Sequence, residues 1–85
     1  MTLTIAYFAW VRERMGTADE TVEVPADIAD TAALIGWLAA RDERGAHAFA
    51  DPARIRAAID GVMMGAAAPL AGAREIALFP PVTGG

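Results

Sequence analysis

Large apolar side chains alternate with small or polar ones in three short runs of this chain, and this period of two constrains the fold most. Residues 2–8, 19–24 and 75–79 follow the pattern, which is typical of a strand with one face packed on a core. In the first run, Leu3 and Ile5 lie on the inward face. The runs predict a sheet with one buried face.

A short helical segment separates the first two predicted strands. Residues 9–15 are rich in helix-forming residues, and Gly16 follows them as a glycine cap. Pro25 ends the second strand because proline lacks the N–H that a central ladder needs. We therefore expect the two strands to pair as a hairpin with a helical excursion between them.

One longer amphipathic helix is predicted in the middle of the chain. Asp30 or Thr31 caps its start, and the charged run 41–44 followed by Gly45 marks its end. Its apolar stripe consists of Leu34, Ile35 and Leu38. A loop over residues 46–51 is expected to follow, in which His47 and Phe49 are interpreted as packing or surface residues.

Residues 52–59 fit either a helix or a strand. Asp51-Pro52 is a good helix start, yet the alternation up to Ile59 and the turn pair Asp60-Gly61 favour a strand. We predict a strand, a tight turn and a second short strand through Met64. A loop over 66–73 follows, with Leu70 expected in the core.

Composition narrows the possible functions. The chain has 85 residues, of which 55% are apolar and 21% charged, as expected for a single globular domain over 1–85. A helix that spans a membrane needs about 20 consecutive apolar residues, and this sequence has no such run. We therefore predict no membrane partner and a cytoplasmic location. The net charge of −4 argues against nucleic-acid binding. Without cysteine and with His47 as the single histidine, no metal site is expected.

The C-terminal tail, residues 80–85, carries the strongest functional signal. Pro80 and Pro81 cannot continue a central strand, so the chain must leave the sheet in an extended form. Gly84 and Gly85 have no side chains and could enter a channel too narrow for a Cβ atom. The reactive group at such an end is the α-carboxyl of Gly85.

Two segments of the chain resemble a known family. Residues 7–16 are similar to the first strand and turn of the small subunit of molybdopterin synthase, and residues 79–85 resemble that family's C-terminal signature at every position. The spacing from Asp60-Gly61 to Leu70 also fits. The resemblance implies an α+β fold of the ubiquitin-like β-grasp type, a mixed sheet packed against one main helix.

The resemblance implies a sulfur carrier that is a non-catalytic subunit of a sulfurtransferase complex. A terminal carboxylate, with a reference pKa of about 3.5, is ionised and a poor electrophile. An adenylating enzyme related to ubiquitin-activating enzymes would activate it with ATP, and a sulfur donor such as a rhodanese or cysteine desulfurase would convert it to a thiocarboxylate. The chain itself is expected to bind no cofactor. The large synthase subunit, in a heterotetramer, would pass the sulfur to a cyclic pyranopterin precursor to form the molybdopterin dithiolene.

The resemblance also assigns site residues. Gly85 is the site of adenylation and of the thiocarboxylate, and Gly84 is the thin stem of the tail. The expected partner-binding residues are Phe8, Met63, Phe79, Pro80, Pro81, Val82 and Thr83. Alternation places Phe8 and Phe79 on the sheet face opposite the core, whereas Met63 occupies the family's position for a large apolar contact residue.

Two alternatives remain open at this point. The chain could carry sulfur for thiamine or cysteine synthesis, or it could be a ubiquitin-like modifier whose activated Gly85 is transferred to lysines of target proteins. The tail 80–85 favours molybdopterin synthesis over thiamine or cysteine synthesis but does not exclude them. Carriers and modifiers require the same adenylation, so the tail cannot separate these two classes. The sequence does not identify the adenylating enzyme, the sulfur donor or the final acceptor.

Overall fold

The computed structural model describes residues 1–81. In chain order the elements are β1 (Thr2–Tyr7), α1 (Ala9–Met15), β2 (Asp19–Glu23), α2 (Thr31–Arg41), α3 (Glu43–Ala48), a 3-10 turn (Pro52–Arg54), β3 (Arg56–Ile59), β4 (Val62–Met64) and β5 (Glu75–Phe79). Within this range the strands form one five-stranded sheet in the order β2-β1-β5-β3-β4. The central strand β5 runs parallel to β1, and the other neighbouring pairs are antiparallel.

The helices cover one face of this sheet. Side chains of Val11, Leu34 and Leu38 are completely buried together with the inward residues of the strands, because each helix presents an apolar stripe to the same core. The opposite face carries no helix in residues 1–81, and we call it the outer face. Over that same range, no helix is long and apolar enough to cross a membrane.

The predicted hairpin with a helical excursion is confirmed. β1 pairs with β2 from Thr2↔Glu23 to Ala6↔Asp19, and α1 occupies residues 9–15 between them. Gly16 has a φ of 76° and its N–H donates to the carbonyl oxygen of Arg12, so a residue without a Cβ is favoured there.

The start of α2 is fixed by its cap and by a distant loop. Asp30 is the N-cap, and its side chain accepts a hydrogen bond of 2.7 Å from the N–H of Ala33. The N–H groups of Thr31 and Ala32 donate to carbonyl oxygens of the loop that precedes Leu70. Leu70 itself is fully buried, which confirms the prediction that it fills the core.

The predicted end of the main helix is wrong. α2 stops at Arg41, Asp42 adopts an extended backbone, and a second helix, α3, covers residues 43–48, part of which had been expected to be loop. The side chain of Asp42 accepts a hydrogen bond of 2.8 Å from the N–H of Gly45, so this aspartate caps α3. Phe49 packs in the core and His47 lies at the surface, which are the two roles that the sequence left open for both residues.

Gly45 allows α3 to approach α2 closely, which leads to a stability prediction. A Cβ on Gly45 would collide with the carbonyl oxygen of Leu38, whereas a Cβ on Gly36, in the middle of α2, would meet no atom within 4 Å. We expect Gly45→Ala to lower the free energy of unfolding by about 2 to 3 kcal/mol. The control Gly36→Ala should raise it by about 0.5 to 1 kcal/mol. Urea unfolding of both variants checks this, and equal effects would contradict the packing account.

Residues 52–64 combine both conformations that the sequence left open. Pro52–Arg54 form a 3-10 turn, after which the predicted strand, turn and strand follow. Asp60 and Gly61 have φ values of 48° and 86°, as expected for a two-residue hairpin turn with both central residues at positive φ. The Asp60 carboxylate also accepts hydrogen bonds from the N–H groups of Arg74 and Glu75, which fastens this hairpin to the start of β5.

A polar cluster joins the edge of the sheet to the end of α2. The Tyr7 hydroxyl donates to Oε2 of Glu20 at 2.7 Å, and Arg41 donates two hydrogen bonds of 2.9 and 2.7 Å to the same carboxylate. These hydrogen bonds from Arg41 hold the pKa of Glu20 below its usual value, although partial burial opposes the shift. Burial, reinforced by Glu20, raises the pKa of the Tyr7 hydroxyl.

The Glu20 cluster predicts a pH-dependent stability. Because the pKa of Glu20 is lowered by folding, its contribution is fully present above the unfolded pKa of about 4.3 and is lost as the pH falls through the folded pKa. Glu20→Gln should reduce the free energy of unfolding by about 1 kcal/mol at pH 7, and the difference should shrink below about pH 4. Urea unfolding over a pH series measures it; a difference that is constant with pH would refute the assignment.

Candidate functional site

The C-terminal tail leaves the sheet from its central strand. β5 ends at Phe79, and the half-buried Pro80 and Pro81 follow it. Since β1 and β5 are parallel, the end of β1 lies beside this exit, and the N–H of Phe8 donates to the carbonyl oxygen of Leu78 at 3.1 Å. The first residues of the tail are therefore held in a fixed place next to Phe8.

The middle of the outer face is flat. Ala6 is paired with Ala77, Ala77 with Ala58, and Ala58 with Met63, so three alanines on neighbouring strands form a row that ends at Met63. Alanine side chains project only one carbon from the sheet. A partner surface could consequently approach this row almost to the level of the backbone.

Larger apolar side chains border the alanine row. Phe8 is 50% exposed and Met63 is 61% exposed. Phe79, the last residue of β5 before the tail, is half-buried. Exposed apolar residues that cluster on one face are typical of a protein interaction site. The structure thus places Phe8 and Phe79 on the outer face, as alternation predicted, and links them through the alanines to Met63. Their part in partner binding stays a prediction.

The backbone after Phe8 turns sharply. Phe8 itself is extended, with φ −130° and ψ 157°, and continues the alternation of β1. Ala9 then has a φ of 52°, a left-handed conformation that costs a residue with a Cβ about 1 kcal/mol or more. This turn ends the extended backbone directly after Phe8 and directs the chain into α1, which leaves the Phe8 ring exposed.

Sequence reasoning missed Arg56 as a site residue. It pairs with Phe79 across β3 and β5, so its side chain emerges on the outer face beside the origin of the tail. Alternation between the buried Ile55 and Ala57 could have placed it on this face. Its position next to Phe79 depends on strand order and register, which the local pattern does not contain.

The end of the tail lies outside the described residues. This applies to the predicted partner-binding residues Val82 and Thr83, to the stem Gly84 and to the carrier residue Gly85. Their assigned roles stay predictions. What the structure does establish is the place from which they extend, because Phe79, Pro80 and Pro81 are within the described range.

The tail leaves the central strand of a small mixed sheet, beside an apolar face that no helix covers within residues 1–81. These two features identify the class of protein. The model of the ThiS family matches residues 5–85, which includes nearly the whole chain. The chain therefore belongs to the ThiS family.

A curated relative specifies the kind of ThiS-family protein that this chain resembles. The molybdopterin synthase sulfur carrier subunit of Escherichia coli (strain K12) is 39% identical over 83 residues, a match that covers 98% of this chain and 99% of the relative. This similarity confirms the sequence-based prediction of a sulfur carrier related to the small subunit of molybdopterin synthase.

Solved structures agree with the fold. SAMP1 from Haloferax volcanii superposes with a TM-score of 0.72 at 22% identity, covering 100% of both chains. A putative molybdopterin converting factor, subunit 1, from Pyrococcus furiosus also gives 0.72 at 22% identity, covering 96% of this chain and 99% of its own. The predicted α+β, ubiquitin-like β-grasp fold is confirmed.

Proposed function

We propose that this chain carries sulfur as a thiocarboxylate on Gly85 and donates it within molybdopterin synthase. The observation that supports the proposal most is the tail's origin, at the centre of the sheet and at the border of the exposed apolar face. A protein docked on that face would receive the tail at a defined position. The name of the Escherichia coli relative supports the same activity.

The chemistry requires activation of the terminal carboxylate. The Gly85 carboxylate attacks the α-phosphorus of ATP on an adenylating enzyme, pyrophosphate leaves, and an acyl-adenylate forms. The outer sulfur of a persulfide on a donor protein then attacks the acyl carbon and AMP leaves, which gives an acyl disulfide with the donor. A second thiol attacks the donor's sulfur of that S–S bond, so a disulfide forms on the donor side and the thiocarboxylate is released on Gly85. ATP is thus a substrate of the partner, and this chain holds no cofactor of its own in the proposed cycle.

The tail is suited to deliver the sulfur into another protein. Six residues reach about 20 Å when fully extended, which is enough to bring Gly85 into a channel of the large synthase subunit. That subunit supplies the catalytic side chains that act on the pyranopterin precursor. Two copies of this chain at the ends of a large-subunit dimer would complete the proposed heterotetramer.

Docking of a partner on the outer face would place the tail in the partner's channel. Burying Phe8 and Met63 would remove their exposed apolar surface from water, and aromatic and methionine side chains are common anchors at protein interfaces. We propose that the adenylating enzyme and the large subunit both use this face, in turn, because each must receive the same tail.

Intact-mass analysis of the purified chain tests the proposal. After incubation with ATP, the adenylating enzyme and a sulfur donor, we expect a species heavier by the difference between sulfur and oxygen, localised by fragmentation to Gly85. A chain lacking Gly85 is the control and should stay unmodified. An unmodified full-length chain would contradict the carrier chemistry, whereas conjugates on lysines of other proteins would favour a modifier instead.

A further inference from the structure

Charged side chains on the outer face are separated into two regions. Asp19 and Glu23 of β2 flank Ala6 and Thr2 in the β1 register, and Glu75 lies beside Thr4. These carboxylates occupy the β2 side and the end of the sheet remote from the tail. Glu23 is ion-paired with the N-terminal ammonium of Met1 at 3.4 Å, so the negative potential of this part of the face comes from Asp19 and Glu75. A basic partner surface would complement it.

A single positive charge lies at the other end of the face. Among the outward-facing strand residues of the described range, Arg56 is the one cation, and its pairing with Phe79 puts it at the exit of the tail. Within residues 1–81, the guanidinium of Arg56 forms no ion pair. Its charge is therefore not neutralised by a neighbouring carboxylate in this part of the chain.

The guanidinium of Arg56 is held in place by the 3-10 turn. Nη1 donates to the carbonyl oxygens of Ala53 at 2.9 Å and Ile55 at 3.3 Å. These bonds use one nitrogen and leave the edge formed by Nε and Nη2 for another acceptor. Two parallel N–H groups along that edge match the two oxygens of a carboxylate, and a side chain that is already ordered loses less entropy on binding.

Distance separates Arg56 from the reaction at Gly85. A six-residue segment that is fully extended spans about 20 Å, so a tail extended in its channel would bring Gly85 that far from Phe79, whereas Arg56 is paired directly with Phe79. A charge at the base of the tail can therefore act on how a partner docks but not on the acyl carbon. Arg56 is a positioning residue in this scheme.

We infer that Arg56 binds a carboxylate of the large synthase subunit when that subunit docks on the outer face, and that the two charged regions fix the orientation of docking. The inference rests on the proposed function and specifies the partner surface. That surface has a flat apolar centre, an aspartate or glutamate beside the mouth of the tail channel, and arginine or lysine opposite Asp19 and Glu75. Reversing the orientation would place like charges together, so the tail enters the channel in one direction only.

A pair of charge reversals tests the inference. Arg54, two residues away, is exposed and belongs to the 3-10 turn and not to a strand of the sheet, so Arg54→Glu changes the net charge by the same amount as Arg56→Glu at a position outside the sheet. Binding of each variant to the cognate large subunit is measured by calorimetry at low and moderate salt. We expect Arg56→Glu to raise Kd about tenfold to a hundredfold, and Arg54→Glu to change it about twofold or less.

A third variant guards against a folding defect. Arg56→Lys keeps the charge but lacks the planar fork, and we expect it to remain folded and to raise Kd about fivefold. If Arg56→Glu lowers the melting temperature, the binding of Arg56→Lys to the large subunit is used instead. Weaker binding of Arg56→Lys than of the wild-type chain supports the inference, and unchanged binding overturns it. Equal effects of Arg56→Glu and Arg54→Glu also overturn it. Failure of the wild-type chain to bind the large subunit would instead contradict the proposed function, and this inference with it.

Discussion

Adding one alanine after Gly85 is expected to abolish sulfur transfer by this chain while leaving its fold intact. The extension moves the carboxyl group by about 3.5 Å and puts a Cβ at the end of a tail whose last two residues have none. A displacement of about 1 Å from reactive geometry already costs about a hundredfold in rate. We therefore expect a loss of at least about a thousandfold in thiocarboxylate formation, measured by mass spectrometry with the adenylating enzyme and the sulfur donor.

Gly85→Ala separates the two effects of that extension. It leaves the carboxyl group at the same position along the chain and adds only the methyl group, so it tests the width of the channel alone. We expect an intermediate loss. Urea unfolding should be unchanged in both variants, because Leu78 is the completely buried core residue nearest the C-terminus within residues 1–81. Full sulfur transfer by the extended chain would refute chemistry at the terminus.

The strands could be predicted from sequence because a strand with one buried face shows alternating apolar and polar residues. Leu3, Ile5 and Tyr7 are all buried, and Ile76 and Leu78 repeat the pattern in β5. Side chains that alternate with them are half-buried or exposed. A period of two needs no knowledge of distant residues, so strand positions and inward faces were predicted correctly at both ends of the chain.

The break between α2 and α3 could not be predicted with the same certainty. Residues 41–44 are compatible with one continuous helix, yet Asp42 ends α2 and caps α3. The close contact between Gly45 and the carbonyl of Leu38 belongs to tertiary packing. Asp42 three residues before Gly45 was the available local signal, since aspartate is a favoured N-cap.

The candidate site was predicted by face but not by neighbourhood. Alternation placed Phe8 and Phe79 opposite the core, and the structure agrees. It could not show that Ala6, Ala77 and Ala58 form one row, because the order of strands is set by packing over the whole chain. For the same reason, alternation could not predict that Arg56 lies beside Phe79, because this pairing depends on β3 and β5 being neighbours.

A carboxylate in place of Met63 is expected to disrupt docking of the large subunit. Met63 is 61% exposed on the outer face, and its neighbour Val62 is 56% exposed but points to the other side of β4. Met63→Asp would desolvate a charge within an apolar contact, so we expect about a hundredfold increase in Kd. Val62→Asp adds the same charge to the same strand and should change Kd about threefold or less.

The comparison is informative because stability should not distinguish the two variants. Both positions are more than half exposed on an edge strand, where substitutions usually change the free energy of unfolding by about 0.5 kcal/mol. Phe8 lies two residues beyond Ala6 along the chain, and Phe8→Ala should weaken binding about tenfold or more because it removes an exposed apolar anchor. Binding that is insensitive to Met63→Asp and Phe8→Ala, in chains that remain folded, would show that the partner docks on some surface other than the outer face. The tail would then reach its channel from a direction that β5 does not set.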